Sequence, residues 1–182
     1  MDDIAEELAM SKKTLYIHFE NKTKLVDVVV TEIFEKVCHG IDHIQEESEN
    51  SIEELYNIKM FVMQHLKNEK TSPHFQLKKY YPKIYNSMRQ RQFDKMQTSV
   101  QNSLQAGIDS KLFRDNIDVG FIARMYFSGM TGIKDEDIFP REEYSMEFLM
   151  ESYLEYHSRA IVTEKGLKIL NKYLKPNLNK KR

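Results

Sequence analysis

Asp2-Asp3-Ile4-Ala5-Glu6-Glu7-Leu8-Ala9-Met10-Ser11-Lys12-Lys13-Thr14-Leu15-Tyr16-Ile17-His18-Phe19-Glu20-Asn21-Lys22-Thr23-Lys24-Leu25 opens the chain and decides its reading. Asp3 with Glu6 makes a capping-box-like start for a helix that runs to about Ala9. A tight break follows at Ala9-Met10. Ser11 then caps a second helix that ends near Phe19. Leu15 and Phe19 stand four apart and face inward, while lysines, a threonine, a tyrosine and a histidine occupy the rest of the surface. Two short amphipathic helices with a tight break between them are the layout of a helix-turn-helix.

Working outward, the rest reads as helix almost throughout. After a turn at Glu20-Asn21, a long helix spans about 22–44, with Leu25, Val29, Ile33, Val37, Ile41 and Ile44 at helical spacing. Glu46 to Asn50 is a polar loop, and Ser51 with Glu54 forms a capping box that opens a helix to about Asn68. That helix is apolar nearly all round, which predicts burial in the body of a domain. Glu69 to Pro73 is a loop, a short helix runs to about Tyr81, and Pro82 starts a longer one that ends beyond Gly107. Asp109 to Asn116 form a connection, and Asp118 caps a helix to about Ile133. Lys134 to Pro140 is a polar loop. A helix from about Arg141 to Ala160 and a last one capped by Thr163, to about Leu174, complete an all-α chain. The expected organisation is a small head with its connecting helix, 1–43, and a larger helical body, 44–182.

Composition fits that picture. The chain has 182 residues, is 41% hydrophobic and 30% charged, and contains only 6 Gly and 4 Pro, so long helices with few turns are expected. No apolar run approaches the length needed to cross a bilayer, and the acidic start lacks the apolar core of an export signal. A lone cysteine, Cys38, excludes an internal disulfide framework and fits a reducing cytoplasm. The net charge of −1 gives no overall attraction to nucleic acid, but phosphate attraction is local. Lys12, Lys13, Lys22 and Lys24 can supply it from one short stretch. The basic tail Asn179-Lys180-Lys181-Arg182 reads as a frayed end.

A helix that enters the major groove needs polar or small residues on its exposed half. Ser11, Lys12, Lys13 and Thr14 fit: lysine donates to guanine edges or phosphates, and the threonine methyl can meet a thymine methyl. Tyr16 and His18 can donate to flanking phosphate oxygens. Lys22 opens the long helix, where free amides also favour an anion. An ordinary helical hairpin with solvated lysines is the bland alternative.

Ile4-Ala5, then Ser11-Lys12-x-Thr14-Leu15-Tyr16-x-His18-Phe19-x-x-Lys22-x-x-Leu25, resembles the DNA-binding signature of the TetR family of bacterial transcriptional regulators. Tyr80-Tyr81-Pro82, Gly107-Ile108 with Phe113-Arg114-Asp115-Asn116-Ile117-Asp118, and Thr163-Glu164-Lys165-Gly166-Leu167 resemble the family's ligand-binding region more loosely. Two departures stand out. Alanine occupies position 9, where the family often has glycine, at a modest cost if that residue needs positive φ. The family's first helix, which precedes the Ile4-Ala5 position, is missing. Ile4, Leu8, Leu15 and Phe19 would then lose part of their cover, at roughly 1.5–3 kcal/mol for each side chain left exposed. Met1 therefore reads as an internal methionine of a longer reading frame, with a trimmed chain or a true short form as the alternatives.

The resemblance implies a body that binds an unidentified small-molecule effector and pairs with a second copy. Met60, Phe61, Met63, Tyr81, Tyr85, Met88, Met96 and Tyr126, with Tyr80 and Phe93, are the candidate pocket lining. Ile122, Met125, Gly129, Phe148, Leu149, Tyr153 and Tyr156 are the candidate homodimer interface, a four-helix arrangement about a two-fold axis. Plain core packing is the bland alternative for both sets. No nucleophile elbow, phosphate loop or dinucleotide fingerprint is present, so no catalytic residue and no cofactor are expected. His39 and His43 share a helix face, but without a third ligand no metal site is expected.

The function expected is a cytoplasmic, ligand-responsive repressor. It would bind a double-stranded DNA operator as a dimer, with its two 11–19 helices in major grooves roughly 34–36 Å apart. The alternative is a helical ligand-binding dimer that has lost DNA binding through truncation of its head.

Overall fold

The computed structural model describes residues 1–66 and 73–174. Their order is α1 (Asp2–Glu7), α2 (Lys12–His18), α3 (Lys22–Glu47), α4 (Ser51–Leu66), α5 (Pro73–Tyr80), α6 (Pro82–Asp109), α7 (Val119–Gly132), α8 (Met146–Ile161) and α9 (Glu164–Tyr173). Among the described residues there is no strand; one isolated bridge joins Phe113 and Val162. The chain is all-α. The expected loop at Glu69 to Pro73 lies, up to Ser72, outside the described residues, as does the tail Asn179 to Arg182.

The helices fall into two compact units, one made of Met1–His39 with Lys70–Arg91, the other of Gly40–Glu69 with Gln92–Arg182. In the first unit, α1 packs on α2, and Ala5, Leu15, Leu25 and Leu77 are its buried apolar residues. Each fully buried leucine contributes about 1.5–3 kcal/mol. Arg91 ties α6 to α3 within this unit. Its guanidinium bonds Thr31 Oγ1 and Glu35 Oε1, both at 3.3 Å, and lies 4.8 Å from the centroid of the Phe34 ring.

The second unit has two apolar clusters. Ile52, Tyr56, Leu104, Leu112, Phe113, Ala123, Ile161 and Leu170 form one; Ile133, Leu149 and Met150 anchor the other. The first is organised by the connection after α6. Lys111 takes φ 60° there, and the amides of Leu112 and Phe113 both donate to Gly107 O, which ends α6. A side chain at Gly107 would overlap the Phe113 ring, and one at Gly166 would overlap the Leu112 carbonyl. Thr163 closes the arrangement. Its amide donates to Leu112 O at 2.9 Å, its hydroxyl donates to Lys111 O at 2.8 Å, and the same oxygen accepts from the Gly166 amide at 3.1 Å, starting α9. Thus Gly107, Phe113 and Thr163-Gly166, distant in sequence, meet at one corner.

Three boundaries differ from expectation. Asn50, rather than Ser51, caps α4: its Oδ1 accepts from the amides of Ile52 at 3.1 Å and Glu53 at 3.0 Å. Ser51 is buried and its hydroxyl donates to Ser103 O at 2.9 Å, so the side chain serves packing against α6. The eighth helix starts at Met146, not near Arg141, because Ser145 caps it by accepting from Phe148 N. The third helix runs to Glu47, through the start of the expected polar loop. Ser11, Asp118 and Thr163 cap as expected.

Candidate nucleic-acid interface

The head follows from three local devices. Ser11 Oγ accepts from Thr14 N at 3.0 Å, which satisfies an otherwise orphaned amide of α2, and Ser11 and Thr14 share a further hydroxyl bond of 2.8 Å. Ala9 takes φ 50°, the left-handed turn conformation, at about 1–2 kcal/mol for a residue with a Cβ. Asn21 caps α3 by accepting from Lys24 N at 2.9 Å. Leu15 is 3% exposed and pins α2 from behind.

This leaves one face of α2 in solvent. Lys13 and Tyr16 are exposed on it, His18 is exposed on another side at the end of the helix, and Lys22 is exposed at the start of α3. Thr14 is half-buried, and Ser11, though exposed, is committed to the cap. Lys12 is exposed too, but its ammonium sits 2.9 Å from Asp2 Oδ1. That hydrogen bond lowers the Asp2 carboxyl pKa and raises that of Lys12. Phe19 is half-buried, while Ile17 is 73% and Leu8 54% exposed.

Beside this face, within the same unit, lies a surface groove of about 590 Å³ lined by Glu20, Asn21, Thr23, Lys24, Asp27, Lys83, Ile84 and Ser87. Lys24 pairs with Asp27 at 3.3 Å; Lys83 has no ion pair among the described residues.

The candidate pocket residues are divided between the two units. Tyr81, Tyr85 and Met88 are half-buried in the first unit. In the second, Met60 is exposed, Met96 is half-buried, the Phe61 ring lies against Gly40, and Met63 packs on the Ile133, Leu149 and Met150 cluster. Tyr126 is buried beside His157 and Tyr153, with ring centroids 5.1 and 6.1 Å away. Phe93 meets Phe127 edge to face, and Tyr80 is exposed.

Sequence reasoning missed the polar groups buried in this body. Lys59 and Glu151 form an ion pair, 6% and 1% exposed, and the Lys59 ammonium lies 4.9 Å from the Tyr56 ring centroid. Glu151 Oε1, Ser158 Oγ and Tyr56 OH are buried without a hydrogen-bond partner among the described residues. Burial pushes the His157 imidazole pKa down to about 4. The signal available was Lys59 itself, a charge set among the apolar Tyr56, Ile58, Met60 and Phe61 of α4.

Of the candidate interface residues on α7 and α8, Met125 and Tyr156 are exposed, and Ile122 and Phe148 are half-buried. Leu149 is 4% exposed, inside the unit's own core. Tyr153 donates to the carbonyls of Met125 at 3.0 Å and Tyr126 at 3.2 Å, and its ring occupies the space over Gly129. The close approach at Gly129 is therefore made by α8 of the same chain. Phe121, 59% exposed, was missed.

No metal-binding cluster of His, Cys, Asp and Glu occurs among the described residues, and His43 bonds Glu47 at 3.2 Å. No helix among them is long and apolar enough to cross a membrane.

Residues 1–29 match the family described as bacterial regulatory proteins, tetR family. A comparison with curated proteins gave no match. Among solved structures, the chain resembles the ketosteroid transcriptional regulator KstR2 of Mycobacterium tuberculosis, at 18% identity over 89% of this chain and 84% of that one, with a TM-score of 0.60. A structure solved for the control of antibiotic production by bacterial hormones aligns at 16% identity over 88% and 85% of the two chains, with a TM-score of 0.62. A transcriptional regulator from Cytophaga hutchinsonii ATCC 33406 aligns at 18% identity over 96% and 85%, with a TM-score of 0.55. The family and the fold matched are those of transcriptional regulators, not of enzymes. The head of this chain, residues 1–29, thus matches the tetR family, and its fold as a whole is similar to that of these solved structures.

Proposed function

We propose that the protein is a cytoplasmic, ligand-responsive repressor that binds a near-palindromic operator as a homodimer. Residues 1–43 serve as its reading head and connecting helix, and 44–182 as its effector-binding and pairing body. The observation that carries the reading is the exposure of Lys13, Tyr16 and His18 on a helix capped by Ser11 and pinned by buried Leu15. In this reading Lys13 donates to a base edge, and Tyr16, His18 and Lys22 donate to phosphates flanking the groove.

Two further features support the finer parts. Phe121, Met125 and Tyr156 expose apolar surface on the packed pair α7 and α8, which suits pairing with a second copy. The unpartnered Glu151 Oε1, Ser158 Oγ and Tyr56 OH suit a body that receives a small molecule with polar groups. Such an effector must bind one arrangement of the subunits better than the other, or it shifts nothing. The ketosteroid and hormone regulators that share the fold are consistent with an apolar ligand bearing oxygen atoms.

The test is selection of genomic DNA fragments by the purified protein, with sedimentation analysis of the complex. Recovery of one near-palindromic motif bound by two protomers supports the proposal. Recovery of no preferred sequence refutes it. A second reading, a helical ligand-binding dimer with a head that does not hold DNA, is favoured by the exposure of Leu8 and Ile17. It predicts that selection fails while the dimer persists.

A further inference from the structure

The charge of the DNA-facing unit is not where the helix-turn-helix lies. Residues 1–39 carry five lysines against eight carboxylates, a net −3 with histidines neutral. Five of those residues are already engaged in three ion pairs: Lys12 with Asp2, Lys24 with Asp27, and Glu35 with Arg91. A head with that balance repels a phosphate backbone beyond its few free lysines.

The compensation comes from another part of the sequence. Residues 73–91, which belong to the same compact unit, contain Lys78, Lys79, Lys83, Arg89 and Arg91 and no carboxylate. Of these, Arg91 is paired with Glu35 on α3, and Lys83 lies by the junction of α2 and α3. It lines the same groove as Glu20, Asn21, Thr23, Lys24 and Asp27, where Lys24 is neutralised by Asp27. It is exposed and has no ion pair among the described residues. As the second residue of α6, it also sits at the helix end where a positive charge is unfavourable, so helix stability does not account for it.

We propose that Lys83 is a DNA-phosphate contact. It would extend the footprint of the head from α2 and the start of α3 onto the first turn of α6. The occupant is the backbone of the duplex just outside the groove read by α2. The groove lies next in sequence to α2 and Lys22, through Glu20, Asn21 and Thr23, and Lys83 is its cation without an ion pair among the described residues, on a segment, 73–91, that carries no carboxylate. This rests on the reading of α2 as the DNA-facing helix, and it adds a contact from a segment outside the helix-turn-helix.

The test is binding of a fluorescein-labelled, mixed-sequence 30-bp duplex by the full chain at several salt concentrations, since phosphate contacts are sequence-independent. The variants are Lys83→Ala, Lys83→Gln, Lys13→Ala, and Lys168→Ala on α9 as a control of equal charge change. Loss of one phosphate contact per protomer lowers the slope of log K against log salt by about 0.9 per site and weakens binding about 5- to 10-fold at 0.1 M salt. The expected result is that both Lys83 variants show this loss and Lys168→Ala does not. If Lys13→Ala weakens binding while both Lys83 variants match Lys168→Ala, the Lys83 contact is refuted and the reading of α2 stands. If Lys13→Ala also matches the control, or the parent protein does not bind, the reading of α2 falls and the Lys83 contact with it.

Discussion

The Lys12 ammonium lies 2.9 Å from Asp2 Oδ1 and 3.0 Å from Oδ2, so the first turn of the reading helix is tied to the first turn of α1. In the proposed reading, a lysine of the DNA-facing helix is thus held by a carboxylate that DNA would displace. The pair is exposed, and its contribution to folding is small. Its effect on binding is larger, because Asp2 also repels phosphate. Asp2→Asn should strengthen duplex binding on the order of five-fold at 0.1 M salt, with little change in melting temperature. Anisotropy titrations and a thermal melt check both halves.

Ala9 pays a conformational cost at the turn between α1 and α2. Ala9→Gly should stabilise the head by about 1 kcal/mol, after allowing for the greater chain entropy of glycine. Hydrogen exchange of the α1 and α2 amides reads this directly, and protection should rise about five-fold. Unchanged or reduced protection would show that the left-handed turn is not populated.

Lys59 and Glu151 stabilise each other only as a pair. Lys59→Met or Glu151→Leu alone should cost about 3–5 kcal/mol, because each leaves a charge buried without its partner. The double variant should recover most of that loss. Urea unfolding of the three proteins gives the coupling, and simple additivity would contradict the account.

His157 gives a pH dependence with a definite sign. Its folded-state pKa, about 4, lies below the ordinary value of 6.5, so the folded body holds the ring neutral among Tyr126 and Tyr153. Above about pH 6.5 both states are neutral and the effect is absent. As pH falls from 6.5 to about 4, the unfolded chain takes up the proton and the folded one does not. Stability then drops by about 3 kcal/mol relative to a His157→Phe variant measured in parallel. The difference levels off below that range. Parallel pH profiles for the two proteins would contradict it.

Much of the fold was legible because its punctuation is local. Ser11, Asp118 and Thr163 each place an oxygen next to an orphaned amide, and such caps depend on only four residues. The break at Ala9-Met10 was legible too, but its left-handed conformation was suggested only by the glycine that the resembled family often has there. Asn50 was missed because Ser51 and Glu54 mimic a capping box, while the side chain of Ser51 is drawn to Ser103 O by a contact 52 positions away. Glu54 likewise turns to Gln45 and Ser103, at 2.7 and 3.1 Å. The buried Lys59 and Glu151 pair joins residues 92 apart and leaves no periodic trace. The exposed side of α2 was visible in the spacing of Leu15 against Lys13 and Tyr16. The place of Lys83 in the groove at the start of α3 was not, because only folding brings it there.

The most direct test of the central claim uses the operator recovered by selection, in competition with a scrambled duplex of equal length. If α2 reads DNA through its exposed face, the native protein prefers the operator, and Lys13→Ala loses about 1–3 kcal/mol of that preference. Tyr16→Phe weakens both duplexes about equally, as loss of a phosphate contact should. If both variants discriminate and bind as the native protein does, α2 is not the reading helix.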